Sequence, residues 1–207
     1  MTKKRLVIIG AGGHGRVCSD VASKMDLWQE IVFVDDNPGI DSVNGFPVIG
    51  ATAELEELVS GADTFVAIGN NLVRRSLQSR LEELGKDCVK LVHPSAVIAR
   101  NVHVDQGTVV MAGVIVNPGT RIGKGCIINT GATVDHDCTI GEFVHISPGV
   151  HVAGNVAIGP NVWLGIGCIV INGLNISDNS IIGAGSVVLR DVTEQGTHVG
   201  VPARKLK

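Results

Sequence analysis

The chain has 207 residues, a formal net charge of −3 at pH 7 and only 3% aromatic residues. This length can hold two small domains, and the slightly acidic balance gives no reason to expect a nucleic-acid partner. No apolar run is long enough to span a membrane, and the run at 6–9 is too short for the core of a signal peptide. We therefore expect a cytoplasmic protein that does not associate with membranes.

The first part of the chain, residues 1–90, is predicted to form a separate α/β unit. Apolar runs predict strands at 5–9, 31–34 and 64–68, and the helical period predicts helices at 16–25, 53–59 and 72–84. A glycine loop follows the first strand, Asp35 and Asp36 follow the second, and Gly69 follows the third. This βαβαβ order is half of a Rossmann-like, nucleotide-binding fold.

The glycine loop matches the G-x-G-x-x-G pattern with Gly10, Gly12 and Gly15, and Asp35 follows twenty positions later. Glycines allow a diphosphate to approach a helix N-terminus, and a carboxylate at the next strand end can bind a ribose hydroxyl. NAD would require a second βαβαβ half, which the chain lacks. The pattern therefore favours a nucleotide-linked ligand, with a purely structural glycine turn as the alternative.

Residues 91–192 divide into seventeen consecutive hexads, and the second residue of every hexad is Val, Ile or Leu. A period of six is typical of a parallel β-helix in which three hexads form one coil of eighteen residues. The second residue of each hexad should point inward, and the small sixth residue should fill a corner. The series runs Val92, Ile98, Val104, Val110, Val116, Ile122, Ile128, Val134, Ile140, Ile146, Val152, Ile158, Leu164, Val170, Ile176, Ile182 and Val188.

A solenoid has two open ends, so we expect residues 193–207 to cap the last coil. Cys126, Cys138 and Cys168 all fall at the sixth place of their hexads and at three different corners. These cysteines cannot easily pair, and they are predicted to be small buried residues of a reducing compartment.

The polar segment around His136 carries the strongest chemical signal of the solenoid. His136 points outward and has Asp137 beside it, and a neighbouring carboxylate can raise the basicity of an imidazole that acts as a general base. Gly154 lies one coil later, about 4.8 Å away, where a missing side chain leaves room for a ligand and an amide could face an oxyanion. His145 lies half a coil from His136, more than ~10 Å away, so the two can share a site only across subunits.

The motifs AGGHG, DD and AIGNN, the solenoid segments DHDC, HISPG and AGNV, and a terminal GVPAR together resemble the sugar acyltransferases of the sialic-acid O-acetyltransferase type. The closest pattern is that of the N-acetyltransferases that act on nucleotide-linked 4-amino-sugars. The resemblance covers essentially the whole chain and implies a left-handed β-helix, a homotrimer and acetyl-CoA as co-substrate.

The resemblance also implies roles for individual residues. His136 matches the general base and Asp137 the acidic residue that strengthens it, although close relatives carry Glu at that place. Positions implied to contact the acceptor are Gly12, Gly13, His14, Asp35, Asp36, Gly69 and Asn129. Positions implied to line the acetyl-CoA groove are His145, Gly154, Ile166 and Ala184. The terminal basic residues would lie near the CoA phosphates.

The expected function is thus N-acetylation of the 4-amino group of a nucleotide-linked amino-deoxy sugar in bacterial surface glycan biosynthesis. O-acetylation of sialic acid or another sugar hydroxyl is an alternative, as is a non-catalytic scaffold that binds nucleotide sugars. A zinc enzyme is a further rival, but His136, His145 and His151 do not have a recognised ligand spacing, so no metal is expected. The sequence does not specify the nucleotide, the sugar stereoisomer or the range of acyl chains.

Overall fold

The structure is a computed structural model that describes residues 4–206. Contacts between Cα atoms divide the chain into two compact units, Met1–Pro94 and Ser95–Lys207. The domain boundaries drawn from the sequence stay a prediction, and Lys207, the last residue of the expected cap, lies outside the described residues. In the described part of the chain, the helices are too short or too polar to cross a membrane.

The first unit is built on a three-stranded parallel sheet in which Lys4–Ile9 (β1) is the central strand, between Trp28–Val34 (β2) and Asp63–Val66 (β5). The central strand is apolar along residues 6–9 and almost fully buried, as expected for a parallel strand covered on both faces. The elements of this unit are β1 (Lys4–Ile9), α1 (Gly13–Met25), β2 (Trp28–Val34), β3 (Ser42–Val43), β4 (Phe46–Pro47), a 3₁₀ turn (Thr52–Glu54), α2 (Leu55–Leu58), β5 (Asp63–Val66), α3 (Asn71–Glu83) and β6 (Leu91–Val92). The predicted βαβαβ order is therefore present.

Two features of this unit differ from the sequence prediction. Helix α1 begins at Gly13, inside the glycine loop, because Gly12 has an extended backbone and serves as its N-cap residue. The hairpin of β3 and β4 was not predicted, although Asn44 and Gly45 form its turn with positive φ angles of 52° and 82°. An Asn-Gly pair between apolar residues is a strong hairpin signal that could have revealed it.

The second unit is a parallel β-helix with three faces. The first face contains β7 (Val97–Ile98), β10 (Ile115–Val116), β13 (Thr133–Val134), β16 (His151–Val152), β19 (Ile169–Val170) and β22 (Val187–Val188). The second face contains β8 (His103–Val104), β11 (Arg121–Ile122), β14 (Thr139–Ile140), β17 (Ala157–Ile158) and β20 (Asn175–Ile176). The third face contains β9 (Val109–Val110), β12 (Ile127–Ile128), β15 (His145–Ile146), β18 (Trp163–Leu164), β21 (Ser180–Ile182), β23 (Gly196–Val199) and β24 (Arg204–Lys205).

From β7 to β22, residues eighteen apart are strand partners, as in the pair Thr133 and His151, whereas β21 and β23 pair at a spacing of sixteen. The predicted inward series is buried from Val110 to Val188, and its first three members are half-buried at the end of the solenoid. The structure thus confirms the predicted hexads, whose strands are two or three residues long.

The solenoid continues beyond the last hexad. Strand β23 pairs in parallel with β21 and adds a further strand to the third face, and β24 folds back antiparallel on β23. The expected cap therefore contains sheet structure, which covers one open strand edge of the third face.

Candidate active site

His136 lies at the corner between the first and second faces, after β13 and before β14. Its Nδ1 is 2.9 Å from Oδ2 of Asp137, and 53% of its side chain is exposed. The Asp137 hydrogen bond, aided by the charges of Asp135 and Asp137, raises the pKa of His136 above its ordinary value. Among the described residues, Nε2 of His136 has no hydrogen-bond partner, so this nitrogen can accept a proton from a ligand.

Asp137 reaches the imidazole with its short side chain, and its own backbone is left-handed, with φ of 57°. Asp tolerates this conformation better than most residues. The hydrogen bond predicted between His136 and an acidic residue is therefore made by Asp137. The carboxylate lies over Gly119, the residue one coil earlier at the same corner.

The coil before His136 holds its backbone in place. Asn117 Nδ2 donates to Asp135 Oδ1 at 2.8 Å, and the same oxygen accepts the backbone N–H of His136 at 2.9 Å. Thr120 Oγ1 donates to the Asp135 carbonyl at 2.7 Å. These supporting residues were not predicted from the sequence. Asn117 could have been found, because it stands eighteen positions before Asp135 and residues with this spacing lie next to each other on adjacent coils.

Gly154 lies one coil after His136, as predicted, but the space above it is not left for a ligand. A Cβ atom on Gly154 would lie 2.6 Å from both Cε1 and Nε2 of His136, so the imidazole itself occupies that space. The prediction that the missing side chain of Gly154 leaves room for a ligand was therefore wrong, because this space holds the imidazole. Within the described residues the Gly154 amide makes no hydrogen bond, which leaves it able to donate to an oxyanion.

A second group of predicted residues lies on the third face. His145, in β15, stacks on Trp163, in β18, with ring centroids 5.9 Å apart and an interplanar angle of 11°. Asn129 Nδ2 is 3.4 Å from His145 Nε2, and Trp163 Nε1 donates to Ser147 Oγ at 2.9 Å. Trp163, which was not predicted from the sequence, stands eighteen residues after His145 and is 46% exposed.

Ile166 and Ala184 lie at the corner between the third and first faces, one coil apart. Ile166 is 63% exposed, and its carbonyl accepts a hydrogen bond from Gly185 N at 2.8 Å. In a three-sided prism, the third face is opposite the corner that carries His136. The structure therefore brings His136, Asp137 and Gly154 together, and places Asn129, His145, Ile166 and Ala184 elsewhere on the same chain.

A groove of about 440 Å³ runs along the first face beside the His136 corner. Asp135 and Ala153, the neighbours of His136 and Gly154 in sequence, line one side of it. His151 Nδ1 is 2.9 Å from Thr133 Oγ1 within this groove. Its other walls are largely apolar and include Ile115, Ile169 and Ile171.

In the first unit, the glycines of the loop serve two different purposes. A Cβ on Gly15 would collide with the Gly10 carbonyl, and Gly10 itself has φ of 105°, so these two glycines allow the helix to approach the strand. A Cβ on Gly12 or Gly13 would meet nothing within 4 Å. The N-terminus of α1 is thus open at Gly12 and Gly13, where an anion could bind.

The other predicted residues of this unit lie at the carboxyl edge of the same sheet. Asp35 accepts hydrogen bonds from Ala11 N at 2.6 Å and from Asn37 N at 2.9 Å, and Asp36 holds Thr52 through two bonds of 2.7 and 2.9 Å. A cavity of about 380 Å³ adjoins both carboxylates. They therefore shape this cavity while also fixing its loops.

Gly69 and His14 are held by buried neighbours. The guanidinium of Arg74 is buried and donates to the carbonyls of Ile68 and Gly69 at 3.0 and 3.1 Å. His14 lies in the first turn of α1, with Nε2 3.6 Å from the Sγ of Cys18. Neither residue lines the cavity next to Asp35, so the six predicted positions share a sheet edge but not one pocket.

Comparison with known proteins places the chain in a family. Residues 5–81 match the PglD N-terminal domain, and residues 119–154 match the bacterial transferase hexapeptide repeats. The acetyltransferase domain of PglB from Neisseria gonorrhoeae FA1090, solved in complex with acetyl coenzyme A, is 41% identical with a TM-score of 0.94, over 99% of this chain and 100% of that one. The chain belongs to the hexapeptide-repeat transferases with a PglD-type N-terminal domain.

Other members of this family are similar to the chain. PerB from Caulobacter crescentus, solved in complex with CoA and GDP-perosamine, is 40% identical with a TM-score of 0.89, over 96% of this chain and 95% of that one. The UDP-N-acetylbacillosamine N-acetyltransferase of Bacillus subtilis (strain 168) is 38% identical over 115 residues, or 53% of this chain. That match spans about half, 52%, of the curated relative.

These comparisons confirm the predicted fold class, a Rossmann-like unit followed by a left-handed β-helix. They also confirm the predicted resemblance to enzymes of nucleotide-linked amino sugars, since that is how the relatives are named. The sialic-acid type of the resemblance stays a prediction.

The five cysteines of the chain, all among the described residues, are buried and form no disulfide bonds. Burial raises the pKa of Cys168 to about 12 and that of Cys88 to about 11, and it also raises the pKa of Cys138, the cysteine nearest His136 in sequence. A buried thiol that stays protonated is a poor nucleophile, so none of these cysteines is suited to carry an acyl group. Among residues 4–206, no cluster of three or more His, Cys, Asp or Glu side chains could hold a metal ion.

Proposed function

We propose that the protein is an acetyl-CoA-dependent N-acetyltransferase that acts on the 4-amino group of a nucleotide-linked amino-deoxy sugar. The proposal places it in the cytoplasm and in bacterial surface glycan biosynthesis. The observation that carries it is the His136 corner, where an exposed imidazole is hydrogen-bonded to Asp137. Among residues 4–206, its Nε2 and the neighbouring Gly154 amide have no hydrogen-bond partner. The likeness over almost the whole chain to an acetyltransferase solved with acetyl coenzyme A supports it.

In the proposed reaction, the sugar amine attacks the carbonyl carbon of the thioester. A C–N bond forms, and Nε2 of His136 takes the proton that the nitrogen loses. The carbonyl oxygen gains negative charge and accepts a hydrogen bond from the Gly154 amide. The C–S bond then breaks, and the proton held by Nε2 of His136 passes to the CoA sulfur, which leaves as the free thiol. The Asp137 carboxylate, hydrogen-bonded to Nδ1, stabilises the charged imidazolium that forms when Nε2 takes the proton.

The proposal assigns the acetyl-CoA groove to His145, Gly154, Ile166 and Ala184, and a sugar contact to Asn129. Gly154 lies beside His136 on the same chain, but Asn129, His145, Ile166 and Ala184 lie on the third face or at its corner with the first face, away from His136. These four residues can therefore join His136 in one site only if a neighbouring subunit contributes them. The exposed stack of His145 and Trp163 would then face the His136 corner of the next subunit. We therefore propose a homotrimer with a site between each pair of subunits.

The nucleotide would be bound by the first unit. Gly12 and Gly13 leave the N-terminus of α1 open, and a helix N-terminus with free N–H groups favours a diphosphate. Asp35 and Asp36 border the adjoining cavity, where their remaining lone pairs could accept hydrogen bonds from ribose hydroxyls. The proposal keeps His14 and Gly69 among the acceptor-binding positions.

The replacement of His136 by Ala tests the role of the base. We expect His136→Ala to lose at least ~100-fold in turnover, the range typical of a general base, while acetyl-CoA binding changes little. Turnover is measured as thiol release and binding by calorimetry. His103→Ala, at another exposed His of the solenoid, is the matched control and should behave like the unmodified protein. Equal loss of turnover and of acetyl-CoA binding would identify His136 as a structural residue.

Mixed oligomers test the shared site. One variant carries His136→Ala and lacks the base, and the other carries His145→Ala together with Trp163→Ala and should bind acetyl-CoA weakly, so that neither is active at low acetyl-CoA. If sites form between subunits, co-expression should restore activity, because some sites then receive His136 from one chain and the intact stack from its neighbour. If all these residues act within one chain, every site lacks one element and the mixture stays inactive.

A further inference from the structure

Gly119 occupies a corner position that the proposed reaction does not involve. It stands one coil before Asp137, and a Cβ atom built on it would overlap Oδ1 of Asp137 and approach its Cγ to 3.3 Å. The separations from Oδ1 and from Cγ are both shorter than ordinary van der Waals separations of about 3.5–4.0 Å. The carboxylate of Asp137 therefore uses the space that the missing side chain of Gly119 provides.

The backbone alone does not require glycine at this corner. Five residues stack there at intervals of eighteen, and all have left-handed backbones: Asn101, Gly119, Asp137, Asn155 and Gly173, with φ of 64°, 79°, 57°, 57° and 73°. Asn and Asp therefore fit the same turn in the coils on either side of Gly119. What distinguishes Gly119 is the carboxylate above it, because a Cβ on Gly173 would meet nothing within 4 Å.

We propose that Gly119 is a positioning residue that holds the Asp137 carboxylate against Nδ1 of His136. The inference rests on the proposed function for its effect on turnover, but its effect on the imidazole is independent of any substrate. With a side chain at position 119, the carboxylate must move from its present position against Nδ1.

The titration of His136 reports the position of this carboxylate. In the described part of the chain, the charged groups that act on the imidazole are Asp137, through its hydrogen bond and its charge, and Asp135, through its charge. Gly154, which packs against the imidazole from the next coil, carries no charge. Displacement of Asp137 should therefore lower the pKa of His136, since the hydrogen bond favours the protonated form.

The experiment compares Gly119→Ala with Gly173→Ala. Ala at either site has a left-handed backbone, with the same strain of about 1–2 kcal/mol, but only Gly119→Ala displaces the carboxylate. The pKa of His136 is measured by NMR titration of the imidazole in the substrate-free protein. The same titration is run on Asp137→Ala and on the double variant Gly119→Ala/Asp137→Ala, and thiol release is measured for all four.

We expect Gly119→Ala to lower the His136 pKa toward that of Asp137→Ala, and to lower kcat/KM by about ten- to a hundred-fold. The double variant should match Asp137→Ala, because Gly119 acts through that carboxylate. Gly173→Ala should leave the pKa and the turnover unchanged. An unchanged pKa in Gly119→Ala, or an equal fall in Gly173→Ala, would overturn the inference. A lowered pKa in a protein that acetylates no sugar would uphold the positioning role and contradict the proposed function.

Discussion

Replacement of Gly154 by Ala should move the imidazole of His136 by about 1 Å. The new Cβ would lie 2.6 Å from Cε1 and Nε2, whereas carbon atoms pack at about 3.5–4.0 Å. Gly154 is not among the described glycines with positive φ, so Ala fits its backbone and the fold should persist. A misplacement of 1 Å in a reacting group can reduce a rate by about 10²-fold, and we expect a loss of this size in kcat.

The assay is thiol release under saturating acetyl-CoA, together with thermal unfolding and acetyl-CoA affinity. Ala keeps the backbone amide, so the donor to the thioester oxygen remains and acetyl-CoA should bind with nearly unchanged affinity. In a His136→Ala background, Gly154→Ala should have no further effect, because there is no imidazole to displace. Full activity in Gly154→Ala would refute the claim that the imidazole must keep its present place over this glycine.

Two further predictions concern the residues around the two histidines. Asp137→Asn should lower the pKa of His136, because an amide does not stabilise the imidazolium as a carboxylate does. The pH at which kcat/KM rises, as His136 loses its proton, should therefore shift to a lower value, and the plateau of kcat/KM should fall. A rise of kcat/KM at an unchanged pH would contradict this. Trp163→Ala should raise KM for acetyl-CoA by up to about tenfold with kcat little changed, because His145 loses an aromatic contact worth about 0.5–1.5 kcal/mol. Trp163→Phe keeps an aromatic ring and loses the hydrogen bond to Ser147, so it should have the smaller effect. Equal kinetics for the unmodified protein and both variants would contradict this prediction.

Much of the fold could be predicted because the solenoid repeats one simple requirement. An inward aliphatic residue every six positions fixes the coil length, and the coil length fixes which residues become strand neighbours. The first unit could be predicted from apolar strands and a glycine loop. The hairpin of β3 and β4 was missed because its strands have only two residues each, too few for a period to be visible.

The candidate site could be predicted only in part. His136 and its neighbouring carboxylate are adjacent in sequence, so their contact was expected. The roles of Gly119 and Gly154 depend on where the side chains of residues on other coils point. A repeat pattern predicts which coil a residue belongs to, but it does not predict the rotamer of its side chain. Trp163 was missed for a related reason, since its stack on His145 needs the two rings to be parallel and not merely eighteen residues apart.

The most direct test of the proposed function is thiol release from acetyl-CoA with a panel of UDP-, GDP- and dTDP-linked 4-amino-6-deoxy sugars. A hydroxyl-only sugar nucleotide and free sialic acid serve as comparators. We predict rapid turnover with one amino sugar, which would also identify its nucleotide, and none with the hydroxyl-only comparator. Turnover only with sialic acid would contradict N-acetylation in favour of O-acetylation, and no turnover across the panel despite acetyl-CoA binding would contradict the proposed acceptor.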